Sequence, residues 1–154
     1  MKKILSIVIA IAICFGVGIT ARYFQADALA SWYPFLEKPS ITPPDYVFPI
    51  AWGFIYLCMG ISIGLIWDKP TYVRFAPMWL FIWQLFFNFM WSILFFTMQS
   101  PMLGFFCIIL LDISVVLYTI QVYHINRLSS WLFFPYIAWL TFATYLNAYI
   151  LIVN

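Results

Sequence analysis

The sequence predicts an all-α integral membrane protein, a single bundle of five transmembrane helices with a long folded first loop. Three observations carry this expectation. Of the 154 residues, 66% are hydrophobic and 8% charged, against roughly 45–50% and 25% in a soluble domain. Five continuous apolar runs approach the about 20 residues that a helix needs to cross a bilayer, whereas barrel strands would alternate apolar and polar positions. The connections are short except the first, so residues 1–154 read as one unit with no room for a separate soluble domain.

The first run, Ile4–Ala21, follows Lys2 and Lys3. A basic start, an apolar stretch and Ala26-Asp27-Ala28 also describe a secretory signal with its cleavage box, but the stretch exceeds the about 7–15 residues of a signal core. Ala10, Cys14 and Gly18 form a small-residue stripe on which another helix can pack. The run therefore reads as the first span. Residues 22–45 follow as a loop holding Pro34, Pro39, Pro43 and Pro44. Loops of this length are usually lids, binding loops or linkers. Trp32, Tyr33, Phe35, Leu36 and Ile41 are groups that bury, which favours a folded lid over the mouth of the bundle.

The second span is 46–67, with Gly60-xxx-Gly64 as a close-packing signal that suits either contact inside the bundle or a dimer contact. The third is 78–97 and the fourth 102–123, joined so tightly through Gln99-Ser100-Pro101 that the two must be antiparallel neighbours. The fifth is 131–153. Lys2, Lys3, Lys69, Arg74 and Arg127 fall on one side, against Arg22 and Lys38 on the other. The positive-inside rule then puts the amino terminus in the cytoplasm, with the carboxyl terminus and the first loop outside. The short basic start without an appended targeting segment suggests a bacterial plasma membrane. A formal charge of +2 is too small and too scattered to attract nucleic acid.

Polar side chains inside hydrocarbon are costly and therefore informative. Asp112 is the only carboxylate within a run, about 15 Å deep at 1.5 Å per residue. It marks either a site or a hydrogen-bonded tie between helices; without a second intramembrane charge it does not describe a pump. Gln84, Asn88, Trp91, Ser92 and Phe95 share one stripe of the third span. Trp52, Tyr56, Met59, Gly60 and Ile63 share one on the second, and Tyr136, Trp139, Ala143, Leu146 and Asn147 one on the fifth. Each stripe is either a packing face or part of a cavity wall. Three converging stripes of rings and amides would enclose a flat, largely apolar ligand. Among the eight tryptophans, Trp32, Trp67, Trp79 and Trp131 lie near span ends, where indoles anchor in the headgroup layer, while Trp52, Trp91 and Trp139 lie deeper.

Other signals fail on context. Gly16-Val-Gly18-Ile-Thr-Ala21 matches a dinucleotide fingerprint but has no strand before it. Cys14, Cys58 and Cys107 sit in separate runs as small packing residues, and the single histidine, His124, has no deep partner for axial haem ligation. Neither a metal site nor a bound cofactor is expected.

One set of residues carries a family likeness. Trp32-Tyr33, Lys38-Pro39-Ser40, Pro43-Pro44, Val47-Phe48, Trp52-Gly53, Tyr56 and Met59-Gly60 resemble the signature of the translocator protein family, also called tryptophan-rich sensory or peripheral benzodiazepine receptor proteins. Gln84-Leu85, Asn88, Trp91-Ser92 and Phe95-Phe96 are similar to its third helix. Asp112 resembles its helix 4 acid, and Pro135-Tyr136, Ala138-Trp139, Phe142-Ala143 and Leu146-Asn147 resemble its fifth helix.

The resemblance implies a five-helix bundle, commonly a homodimer, that binds porphyrins, sterols and benzodiazepine-type ligands under the first loop. It also implies light- and oxygen-dependent breakdown of bound protoporphyrin. Trp52 and Trp139 match the family's pocket indoles and are the candidates for that chemistry. Tyr33, Asn88 and Ala143 would shape and hydrogen-bond the ligand, with Trp91 and Asp112 as further candidate contacts. The sterol pattern is incomplete, since Leu146 and Tyr149 are followed by no basic residue. Transport of porphyrins or similar molecules, and ligand-responsive sensing, are the competing readings; no inverted repeat or broken-helix pair supports a coupled transporter.

Overall fold

The computed structural model describes residues 2–154. Helix α1 spans Lys2–Ser31, α2 Val47–Ile66, α3 Thr71–Ser92, α4 Pro101–Tyr123, α5 Arg127–Trp131 and α6 Phe134–Val153. A π-helical turn, Ile93–Thr97, prolongs α3, and a short 3-10 turn, Tyr33–Phe35, opens the first loop. Among the described residues there is no strand, and five helical segments are long and apolar enough to cross a membrane, with α5 and α6 together making the fifth.

Two boundaries differ from the sequence reading. The first helix continues ten residues past Ala21, so the loop is confined to residues 32–46. Residues 22–31 look loop-like because Arg22, Gln25 and Asp27 interrupt the apolar run, yet no proline or glycine breaks the helical register before Pro34. Ala21 and Ala28 are buried while Arg22, Tyr23 and Asp27 are exposed, which is the pattern of one continuous amphipathic helix. The third helix begins at Thr71 rather than 78, with Pro77 inside it. An apolar window stops at Arg74 and Pro77; the helix does not, because Arg74 donates to the Trp67 carbonyl and lays its guanidinium over the Trp67 ring.

The two glycines of α2 pack directly on α1. A Cβ built on Gly60 would lie 2.5 Å from the Ile11 Cα, and one on Gly64 would lie 2.7 Å from the Ile7 Cα. Ala10 and Cys14 are buried in the same seam. The Gly60-xxx-Gly64 pattern thus serves α1 against α2 inside the bundle, where absent side chains allow backbones to approach.

Polar groups fasten the end of the bundle opposite the first loop. Ser62 Oγ donates to the Ser129 carbonyl (2.8 Å), Ser129 Oγ donates to the Ser62 carbonyl (3.0 Å), and the Tyr118 hydroxyl lies 2.9 Å from Ser62 Oγ. Asn126 caps α5 by accepting from the backbone N–H groups of Leu128 and Ser129. Between α3 and α4 the chain reverses within three residues, with Gln99 in the left-handed region at φ 48° and Ser100 capping α4. That tight turn makes α3 and α4 the antiparallel neighbours their short connection requires.

Candidate functional site: a lidded aromatic cavity

A cavity of about 630 Å³ lies beneath the first loop, between α1, α2, α3 and α6. Its volume is within the about 300–1,000 Å³ of small-molecule sites. Helix α2 contributes Phe48, Trp52 and Tyr56; α3 and its π turn contribute Asn88, Trp91, Ser92, Phe95 and Phe96. Helix α6 adds Ala143, Leu146, Asn147 and Ile150, and the lid adds Tyr33, Pro34, Lys38 and Asp45. The π turn matters here because it sets the consecutive Phe95 and Phe96 both on the cavity wall, their rings 4.9 Å apart.

The rings are fixed by one another and by hydrogen bonds. Trp52 stacks on Tyr56 with centroids 5.5 Å apart and planes inclined by 27°. Trp91 stacks on Phe95 at 5.4 Å and 20°, and its Nε1 donates to Asn147 Oδ1 at 3.0 Å. Asn147 in turn donates to the Pro101 carbonyl, tying α6 to the start of α4. Asn88 is nearly fully buried: Tyr56 donates to its Oδ1 (3.1 Å), and its Nδ2 donates to the Tyr136 hydroxyl (3.0 Å). One amide hydrogen and one oxygen lone pair remain on Asn88 for a ligand. One turn further along, Gln84 is fully buried with no hydrogen-bond partner for either side-chain atom.

The lid is itself structured. Lys38 Nζ donates to the Tyr33 carbonyl (2.8 Å) and sits 4.5 Å from the Tyr33 ring centroid. Burial pushes the Tyr33 phenol up to about 12, with the nearby Asp45 carboxylate adding to the effect, so it stays a neutral donor. Trp32 lies at the foot of the lid with its ring 5.5 Å from Phe95, half-buried in an aromatic cluster with Phe96 and Ala28. This corrects its reading as a headgroup anchor. Trp67 and Trp131 are exposed near helix ends, as anchors would be, whereas Trp79, also exposed, lies more than two turns inside α3 because that helix begins at Thr71.

Of the residues singled out in the sequence, Tyr33, Trp52, Asn88, Trp91 and Ala143 are brought together on the cavity wall. Trp139 stands one layer behind, its ring 5.7 Å from that of the wall residue Phe48. Asp112 is on α4, which lines no part of the cavity, and accepts a hydrogen bond from Thr144 Oγ1 at 2.7 Å. It therefore ties α4 to α6. Sequence reasoning missed the α1 wall of Phe15, Gly18, Arg22, Gln25 and Leu29. Its signal was the spacing of three, four, three and four, visible only once α1 is run through to Ser31. Gln25 closes this wall onto α3 by donating to Ser92 Oγ at 2.6 Å.

Five membrane-spanning segments, four of them around an aromatic cavity with a proline-rich lid, define a multi-pass membrane protein built to enclose a ligand. Comparison with known proteins gives the family. The TspO/MBR family model matches residues 10–153. The chain is 37% identical to the tryptophan-rich protein TspO of Archaeoglobus fulgidus, over 99% of both chains. It is 32% identical to protein CrtK of Rhodobacter capsulatus, covering 87% of this chain and 83% of that one. It is 31% identical to the human translocator protein, covering 86% and 79%. The chain belongs to the TspO/MBR family.

Proposed function

We propose that the protein binds a porphyrin in the lidded cavity and promotes its light- and oxygen-dependent breakdown. The observation that carries this reading is the cavity itself, with stacked Trp52–Tyr56 and Trp91–Phe95 pairs on its walls. A planar macrocycle gains most from walls that offer ring faces in fixed positions. Benzodiazepine-type ligands would occupy the same space.

The chemistry needs a donor in contact with the pigment. A photoexcited metal-free porphyrin accepts one electron, the indole of Trp52 gives it, and dioxygen then takes it from the reduced pigment. The indole radical cation takes an electron back from the macrocycle, and the superoxide formed adds to the resulting porphyrin radical cation, so the indole is restored and one dioxygen is consumed for each pigment oxidised. Trp52 is the contact donor, held by Tyr56 and by an edge contact to Tyr136 at 6.0 Å. Trp139 acts from behind Phe48. Tyr33, Asn88 and Ala143 shape the space around the pigment.

The reading includes a homodimer in a cell membrane, with the amino terminus cytoplasmic and the lid outside. Gly60 and Gly64 are occupied by α1 and so are not the dimer contact. Lys69 in the connection before α3, Arg74 in the first turn of α3 and Arg127 at the start of α5 lie at the end opposite the lid, which supports the orientation.

The test is spectroscopic. Purified protein with protoporphyrin should lose the pigment absorbance and gain a product band in light with oxygen, and not in darkness. Replacing Trp52 and Trp139 together with Phe should abolish that loss while binding persists. Unchanged photodegradation in the double variant overturns the assignment of the indoles. Flux of unaltered pigment into sealed vesicles would instead identify a carrier.

A further inference from the structure

We propose that Arg22 makes the cavity selective for flat aromatic ligands that carry an acid group, binding that group at the α1 wall while the ring system lies against Trp52 and Tyr56. The proposal rests on the reading of the cavity as a site for flat aromatic molecules, and adds to it the ligand's charge and orientation.

Charge is unevenly distributed around the cavity. Its wall carries two cations, Arg22 and Lys38, and one carboxylate, Asp45. Lys38 is already engaged, since its ammonium donates to the Tyr33 and Pro34 carbonyls and rests over the Tyr33 ring. Arg22, an exposed residue, lines the same space, and among the described residues its guanidinium has no hydrogen bond or ion pair. A guanidinium offers a planar fork of donors that matches a carboxylate two bonds at a time.

Position fixes the ligand's orientation. Arg22 shares its helix face with Phe15, seven residues earlier and so about 10 Å deeper along α1. At Phe15's level the wall is aromatic, with its ring 6.0 Å from that of Tyr56. Arg22 stands one turn nearer the lid than Gly18, whose Cβ would meet the Tyr56 ring, and Trp52 stands one turn nearer the lid than Tyr56. An acid at the aromatic end would be desolvated without a counter-ion, which is costly. Beside Arg22 it meets a counter-ion while the rings lie against Trp52 and Tyr56.

Four probes in nanodiscs of zwitterionic lipid test this by quenching of tryptophan fluorescence. They are 1-pyrenebutyric acid, its methyl ester, protoporphyrin and protoporphyrin dimethyl ester. Each acid and its ester share a ring system and differ in charge. Loss of a charge-assisted hydrogen-bond pair should cost about tenfold in affinity. Arg22→Gln should therefore weaken both acids about tenfold and leave both esters unchanged, with Arg22→Lys in between; comparing variants cancels partition into lipid. An acid-to-ester affinity ratio that is the same in wild type and Arg22→Gln overturns the proposal, as does failure of pyrenebutyric acid to bind. If the pyrene pair shows the Arg22-dependent ratio and neither porphyrin binds, the proposal stands and the porphyrin reading falls.

Discussion

Glu37 and Asn154 are joined by two hydrogen bonds: the Glu37 backbone N–H donates to Asn154 Oδ1 at 2.8 Å, and Asn154 Nδ2 donates to the Glu37 carbonyl at 3.1 Å. One carboxamide thus holds the lid's backbone to the residue that follows α6. Exposed neutral hydrogen bonds contribute about 0.5–1.5 kcal/mol each. Asn154→Ala removes both, and ligand should leave about fivefold faster in stopped-flow quenching. An unchanged off-rate would show that the lid is not the exit barrier.

Gly60 and Ile11 set the spacing of α1 and α2. A Cβ at Gly60 would meet backbone as well as side-chain atoms of Ile11, so α1 must move outward to admit it. Gly60→Ala should destabilise the bundle by about 2 kcal/mol in a mild-detergent unfolding titration, within the range for an overpacked contact. Gly16→Ala is the control, because nothing lies within 4 Å of its Cβ position; it should be neutral or slightly stabilising.

How much of this was legible follows from what sequence patterns encode. The spans of α2 and α4 agree with the apolar runs within a residue at each end, since both are bounded by residues that suit loops or caps. The stripe through Gln84, Asn88, Ser92 and Phe95 is buried as its spacing demands. Hydropathy could not follow α1 past Ala21, because there the helix faces both the cavity and water and needs polar residues. The depth of Trp139 was likewise hidden. Helical spacing puts it on the face of Tyr136 and Ala143, but only the packed position of Phe48 decides which ring stands in front.

Asn88 joins three helices through Tyr56 on α2 and Tyr136 on α6. Both tyrosines are buried, so Asn88→Leu strands two hydroxyls where water does not reach. At about 1–3 kcal/mol for each unsatisfied group, the expected loss is about 3 kcal/mol. Tyr136→Phe strands only the Asn88 amide and should cost about half as much. Equal losses would mean that the hydroxyls find other partners.

Asp112 and Thr144 form a separate tie between α4 and α6, outside the cavity wall. Asp112→Asn keeps an acceptor for the Thr144 hydroxyl. Ligand affinity should then stay within about twofold of wild type, since no cavity contact or partner's hydrogen bond is lost. Thr144→Val leaves the carboxylate without its donor and should lower the melting temperature more than Asp112→Asn does. A large affinity loss in Asp112→Asn would make this residue part of the binding site.

Tyr33 gives a pH dependence with a definite sign. Its phenol is pushed up to about 12 by burial and by Asp45, against about 10 in an unfolded chain. The folded protein therefore holds this proton more tightly. The stability linked to it is fully present below about pH 10 and is lost as pH rises from there through about 12. The wild-type minus Tyr33→Phe difference in tyrosinate absorbance should stay flat to about pH 10 and rise only near 12. Ligand affinity that uses Tyr33 as a donor should be constant over the same flat range. A tyrosinate step near 10 assigned to Tyr33 would place the phenol in water rather than on the cavity wall.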